Sequence, residues 1–188
     1  NIDVVNKQLE AMLDYYKMTG SPSLIPRYAL GNWWSRNVTY DEKGVEDLVR
    51  KFEKKKIPLS VLLFDHDWHY RNVGEYKGLK VGYTFNNALF PNPKAMTDKL
   101  HSKGIRVGLV VDPMGGFYPH ETYYKQASEY LEILDSKVIL FDPLNPKVLD
   151  VLFKIFLHPL EAQGIDFYWN DSMGGGDVNK LWAINHYM

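Results

Sequence analysis

The chain has 188 residues, enough for one ordinary domain, and its 45% hydrophobic and 24% charged residues are those of a globular protein rather than a disordered one. A net charge of −1 argues against a nucleic-acid or anionic-membrane surface, and no apolar run approaches the roughly 20 residues that span a bilayer. Cysteine is absent, which removes disulfides, thiol nucleophiles and thiolate zinc sites. That fits a reducing compartment, and the opening NIDVVNKQ shows no signal-peptide pattern, but neither fixes the localisation.

Val5, Leu9, Met12, Leu13 and Tyr16 recur at helical spacing and predict an amphipathic helix that ends at Gly20-Ser-Pro-Ser. The aromatic run 28–34 reads as a buried strand. Asp41 caps a helix carrying Val45, Leu48, Val49 and Phe52 on one face. Residues 59–64 form a continuous apolar run, the signature of a strand covered on both sides. A long loop, 67–93, leads to a helix over 94–103, and IRVGLVVDP is a second buried strand. A helix over 120–134 and a short strand over 138–141 follow. Asn145 caps and Pro146 starts a helix to 163, with a kink at Pro159 and Gly164 just past its end. A strand over 165–170 and a helix from 180 complete the pattern. Strands alternating with helices, with no linker or low-complexity tract, predict one α/β domain over 1–188 with a parallel sheet.

In such a sheet the C-terminal strand ends share one face, and sites are built there. Asp65, Asp67, Asp112, Asp142 and Asp171 all fall at those ends, and Trp33, Trp34, Trp68 and Trp169 lie nearby. Asp142, followed by Pro-Leu-Asn-Pro, reads as a turn residue. Clustered carboxylates accept hydrogen bonds from sugar hydroxyls, and an indole covers the apolar face of a sugar ring. Metal binding is the weaker reading, since His66 and His69 straddle Asp67 on an extended segment and no HxH or HExxH motif is present. Gly174-Gly175-Gly176 lacks the Lys-Ser/Thr of a phosphate loop.

LDYYKMTGSPSLIPRYALGNWWSR, KKKIPLSVLLFDHDWH, FPNPKAMTDKLHSKGIRVGLVVDP and GIDFYWNDSM, in this order and spacing, resemble the start of the catalytic domain of glycoside hydrolase family 31. The resemblance covers essentially the whole chain. It implies the first four βα units of a (β/α)8 barrel of TIM type and a retaining α-glycosidase needing no cofactor and no metal. Its partners would be an α-glycoside substrate and the remainder of the barrel, from a longer chain or a second one. By the same resemblance Asp171 is the catalytic nucleophile, and Asp65, Asp67 and Asp112 bind the sugar in the reacting subsite. Trp68 and Trp169 help shape that pocket, and Asp166 is a structural acid at the start of the strand. Two departures stand out. Ser172-Met173-Gly174 replaces the Met-Asn-Glu of familiar α-glucosidases, and the family's acid/base aspartate would lie downstream of residue 188. A catalytically inactive sugar-binding relative, a structural fragment and an unrelated barrel hydrolase remain as alternatives.

Overall fold

The computed structural model describes residues 2–20, 23–133, 137–171 and 178–187. Four strands, β1 (Trp33–Ser35), β2 (Val61–Phe64), β3 (Arg106–Val111) and β4 (Phe167–Asn170), form one parallel sheet in the order β1-β2-β3-β4. Each strand pairs with its neighbour in sequence, the arrangement of a (β/α) barrel rather than of a doubly wound sheet. The helices are α1 (Ile2–Thr19), α2 (Glu42–Lys54), α3 (Pro93–Ser102), α4 (Tyr124–Tyr130), α5 (Pro146–Asp150), α6 (His158–Ala162) and α7 (Val178–Tyr187).

Local chemistry starts and stops these elements. The Asp41 carboxylate accepts the Gly44 N–H at 2.6 Å at the head of α2, and Asn92 and Asn145 cap α3 and α5 in the same way, each followed by proline. Seven π-helical residues, Val151–Leu157, join α5 to α6. The helix therefore widens just ahead of Pro159, whose ring has no N–H to offer a carbonyl one turn back. Gly164 ends the run at φ +93°, where the Gly164 and Ile165 amides return to Glu161 and Leu160.

The sheet is built by alternation. Leu62, Phe64, Val107, Leu109 and Val111 turn toward α2 and α3 and pack with Val45, Val49, Met96 and Leu100 in one core cluster. A second cluster gathers Tyr83, Phe117, Phe156 and the α5–α6 side chains, and Tyr168 touches both. The other residues of each strand face the opposite side. There Phe167 lies over Gly108, with the rings of Trp33 and Tyr28 5.2 and 6.1 Å away. A side chain on Gly108 would meet the Phe167 ring at 2.4 Å, so the glycine makes room for it.

Four expectations change. The run 28–34 begins as a 3-10 turn, Arg27–Leu30, and strand pairing begins only at Trp33. The helix expected over 120–134 begins at Tyr124, because Glu121 is drawn into the core (5% exposed) instead of opening a helix to solvent. Residues 138–141 do not join the sheet: β4 already occupies the free edge of β3, and Ile139 makes only an isolated antiparallel bridge to Phe117. The apolar stripe of α1 is exposed, Val5, Leu9, Met12 and Leu13 each by more than half.

Candidate active site

Register fixes which acids meet. Phe64 is level with Leu109, so Asp65, one residue on, is level with Val110 and its partner Trp169. Val111 is level with Asn170, and the Asp171 N–H continues the ladder to the Val111 carbonyl at 2.9 Å. Asp112 and Asp171 therefore stand side by side at the next level, with Cα atoms about 4.8 Å apart, the spacing of neighbouring strands. By alternation Asp65, Trp169, Asp112 and Asp171 all belong to the side away from α2 and α3. Three acids from three adjacent strands thus share one end of one side of the sheet, with Trp169 on the edge strand two residues below Asp171. Asp112 is buried, Asp65 is half-buried and Asp171 is exposed, as is Trp169.

Asp67 lies apart from that row. It sits in the single 3-10 turn His66–Trp68, and its carboxylate accepts hydrogen bonds from the Thr39 hydroxyl and, at 2.8 Å, from Arg71 Nη1. The Thr39 bond above all, then Arg71, holds Asp67 below the usual aspartate range, so it is an anion with a fixed orientation. It borders an open cavity of about 490 Å³ that Arg71, Asn72 and Asn86 also line. All are groups that donate to or accept from hydroxyls.

The same turn sends Trp68 the other way. Three residues per turn carry successive side chains about 120° apart, and Trp68 goes into the core, 1% exposed, with its indole N–H on the Val110 carbonyl at 3.0 Å. It bears on the site by fixing the strand end next to Asp112 rather than by offering a surface. The other tryptophans separate too. Trp34 packs edge-on against Phe52 on the helix side, and Trp33 is level with the first residue of β2, far from the C-terminal ends. Trp169 is the tryptophan that remains on the acids' side at their end of the sheet.

Asp166 has the structural role expected of it. It accepts from the Val107 N–H at 2.7 Å, from His101 Nε2 at 2.7 Å and from Arg106 Nη1 at 2.9 Å, which locks β4 to β3 and α3 at the far end of the strands. Asp142 is a turn residue, accepting from the Leu144 amide. Ser172-Met173-Gly174 and the glycines after it lie outside the described residues. Among the described residues no group of His, Asp and Glu side chains has the geometry to hold a metal ion. Sequence reasoning missed Thr39 and Arg71, although Arg71 follows Asp67 at the i+4 spacing of ion pairs.

The model of the glycosyl hydrolases family 31 TIM-barrel domain matches residues 22–184. The chain belongs to that family. Among curated family 31 relatives, an alpha-xylosidase of Saccharolobus solfataricus is 28% identical over 158 residues, covering 84% of this chain and 20% of its own length. Alpha-glucosidase 2 of Bacillus thermoamyloliquefaciens is 38% identical over 104 residues, 55% of this chain and 12% of that protein. The crystal structure of a family 31 alpha-glucosidase from Bacteroides thetaiotaomicron superposes with a TM-score of 0.59 at 29% identity, over 82% of this chain and 27% of that one. The chain thus spans a fifth or less of the curated relatives, and the sheet is the family 31 barrel's in part. In a family 31 domain, a row of acids at the strand ends lies at the end of the barrel where catalytic residues gather.

Proposed function

We propose that this domain supplies the nucleophile half of a retaining, exo-acting α-glycoside hydrolase that is active only together with the rest of its barrel. The observation that carries the reading is the register of β3 and β4 in a family 31 sheet, which pairs Val111 with Asn170 and so puts Asp112 and Asp171 together one residue on, with Asp65 two residue levels below. Asp171 is the nucleophile. Attack on an anomeric carbon needs an ionised, positioned oxygen, and an exposed acid at the end of a paired strand offers one. Asp65, Asp112 and Asp67 accept hydrogen bonds from the hydroxyls of the reacting sugar, and Trp169 covers a face of the ring. Trp68 acts from beneath, through Val110. The acid that protonates the leaving oxygen, and later activates water, comes from the remainder of the barrel and must bring its carboxyl to about 5–5.5 Å from Asp171. The relatives named as α-xylosidase and α-glucosidase support an α-linked substrate.

A second reading, a sugar-binding relative without turnover, is favoured by Ser172-Met173-Gly174 where the common α-glucosidases carry Met-Asn-Glu. A panel of aryl α-glycosides assayed on the full-length protein separates the two. Hydrolysis that disappears in Asp171→Asn supports the hydrolase. Sugar binding without hydrolysis by the unaltered protein supports the binding relative.

A further inference from the structure

The long connection between β2 and α3 returns a short strap, 81–85, over the loop that follows β3, and one carboxylate ties the two together. Glu121 accepts the Tyr83 N–H at 3.1 Å and the Thr84 hydroxyl at 2.6 Å, and the Thr84 hydroxyl oxygen in turn accepts the Thr122 N–H at 2.9 Å. The strap has little freedom on its other contacts. The His69 ring fills the space where a Gly82 side chain would start, and Val81 does the same at Gly115. Gly115 belongs to the turn that Asp112 opens, since its N–H returns to the Asp112 carbonyl at 3.0 Å. The Tyr83 ring is buried against Phe117 and Phe156, and that burial first, then the nearby Glu121 and Asp112 carboxyls, raises the pKa of its hydroxyl.

We infer that Glu121 is a positioning residue of the active site, clamping the 81–85 strap to the loop after β3 and thereby holding Asp112 where it meets the sugar. The inference rests on the role given to Asp112 above.

The groups around Glu121 suit a carboxyl that keeps its proton. His120 Nε2 stands 3.5 Å from Glu121 Oε1, and the His120 side chain is nine-tenths buried beside the rings of Tyr118 and Tyr76. Neither ring nitrogen has a hydrogen-bond partner among the described residues. Burial lowers His120 and raises Glu121 to about 7, so it favours the neutral form of both. A proton on Oε1 then faces a nitrogen that can accept it, while Oε2 keeps the Tyr83 and Thr84 bonds. The titratable groups facing this carboxyl are His120 on its own loop and Tyr83 on the strap, with Asp112 acting on Tyr83 from beyond. Because burial lifts the folded value above the ordinary 4.5, the stability this buried carboxyl contributes is complete below 4.5 and is lost as pH rises through about 7, the Tyr83 and Thr84 bonds opposing that loss because they favour the ionised form.

The test uses the full-length protein with Glu121→Ala and Glu121→Gln, assayed on an aryl α-glycoside across pH. Glutamine can accept from Tyr83 and Thr84 and donate to His120, mimicking the protonated acid; alanine can do neither. The expectation is a kcat loss of about 10²-fold in Glu121→Ala, the usual result of misplacing a site by about 1 Å. Glu121→Gln should keep kcat near the unaltered value and lack the decline near pH 7 expected of the unaltered protein. Unchanged kcat in Glu121→Ala, or a retained decline in Glu121→Gln, overturns the inference. Should the unaltered protein neither hydrolyse nor bind a glycoside, the hydrolase reading fails and amide exchange at Tyr83 decides the clamp. Faster exchange in the alanine variant alone upholds it, and equal exchange in all three proteins sinks it.

Discussion

Asp67 and Asp166 are both held by an arginine, yet at opposite ends of the strands the pairing has different consequences. Asp166 gathers three donors around a carboxylate whose side chain is 14% exposed, and removing it strands Arg106 and the Val107 amide at the start of β3. Arg106 is half exposed, so most of the loss is the unsatisfied Val107 amide, about 1–3 kcal/mol, which in a domain of this size is a melting-temperature fall of roughly 2–12 °C. Asp166→Ala should show that fall in a thermal melt while an Asp166→Asn variant, able to keep one acceptor, loses less. Asp67 instead borders an open cavity, and its depressed titration makes a distinct prediction. Its contribution to stability is present above the ordinary value of 3.8 and is lost as pH falls through the still lower folded value. Melting temperatures followed down an acid series should therefore drop less steeply in Asp67→Asn than in the unaltered protein; parallel curves would refute the Thr39–Asp67–Arg71 arrangement.

At the scale of elements, β4 depends on how the chain enters it. Gly164 at φ +93° lies against Thr97 so closely that a methyl group would meet the threonine hydroxyl at 2.4 Å and its Cβ at 2.8 Å. Thr97 is fully buried and already donates to the Gln163 carbonyl, so it has no room to yield. Gly164→Ala should cost at least about 2 kcal/mol, read as a shift in denaturant midpoint, from the left-handed backbone and the clash together. This glycine, like the caps at Asp41 and Asn145, was legible in the sequence because its cause lies within a few residues. The strand-end acids were legible for a similar reason: a strand's length and the C-terminal rule need no distant information. What could not be read depends on partners far away in the chain. Glu121 looked like the first turn of a helix, and only the strap 37 and 38 residues earlier makes it a buried acceptor. Trp68 looked like a pocket residue until the 3-10 turn rotated it into the core. Residues 138–141 had the composition of a strand, but the place beside β3 was taken by β4.

For the whole molecule, the sheet explains both what this chain brings and what it needs. Among the described residues β1 and β4 each have one unpaired edge, and the side of the sheet that carries Trp169 and Asp171 leaves both exposed. On the proposed reading, the rest of a family 31 barrel would supply strands for those edges, and with them the second carboxylate that retention requires. Residues 1–188 produced alone should accordingly fail to hydrolyse aryl α-glycosides that the full-length protein cleaves; turnover by the shorter chain would show that both carboxylates lie within it. The central claim, that Asp171 is the nucleophile, is tested most directly by trapping. The full-length protein is incubated with a mechanism-based fluorinated α-glycosyl fluoride, digested, and its peptides weighed. The account predicts a single glycosyl adduct on the peptide containing Asp171, absent from Asp171→Asn. An adduct on any other acid, or continued turnover in Asp171→Asn, would contradict it.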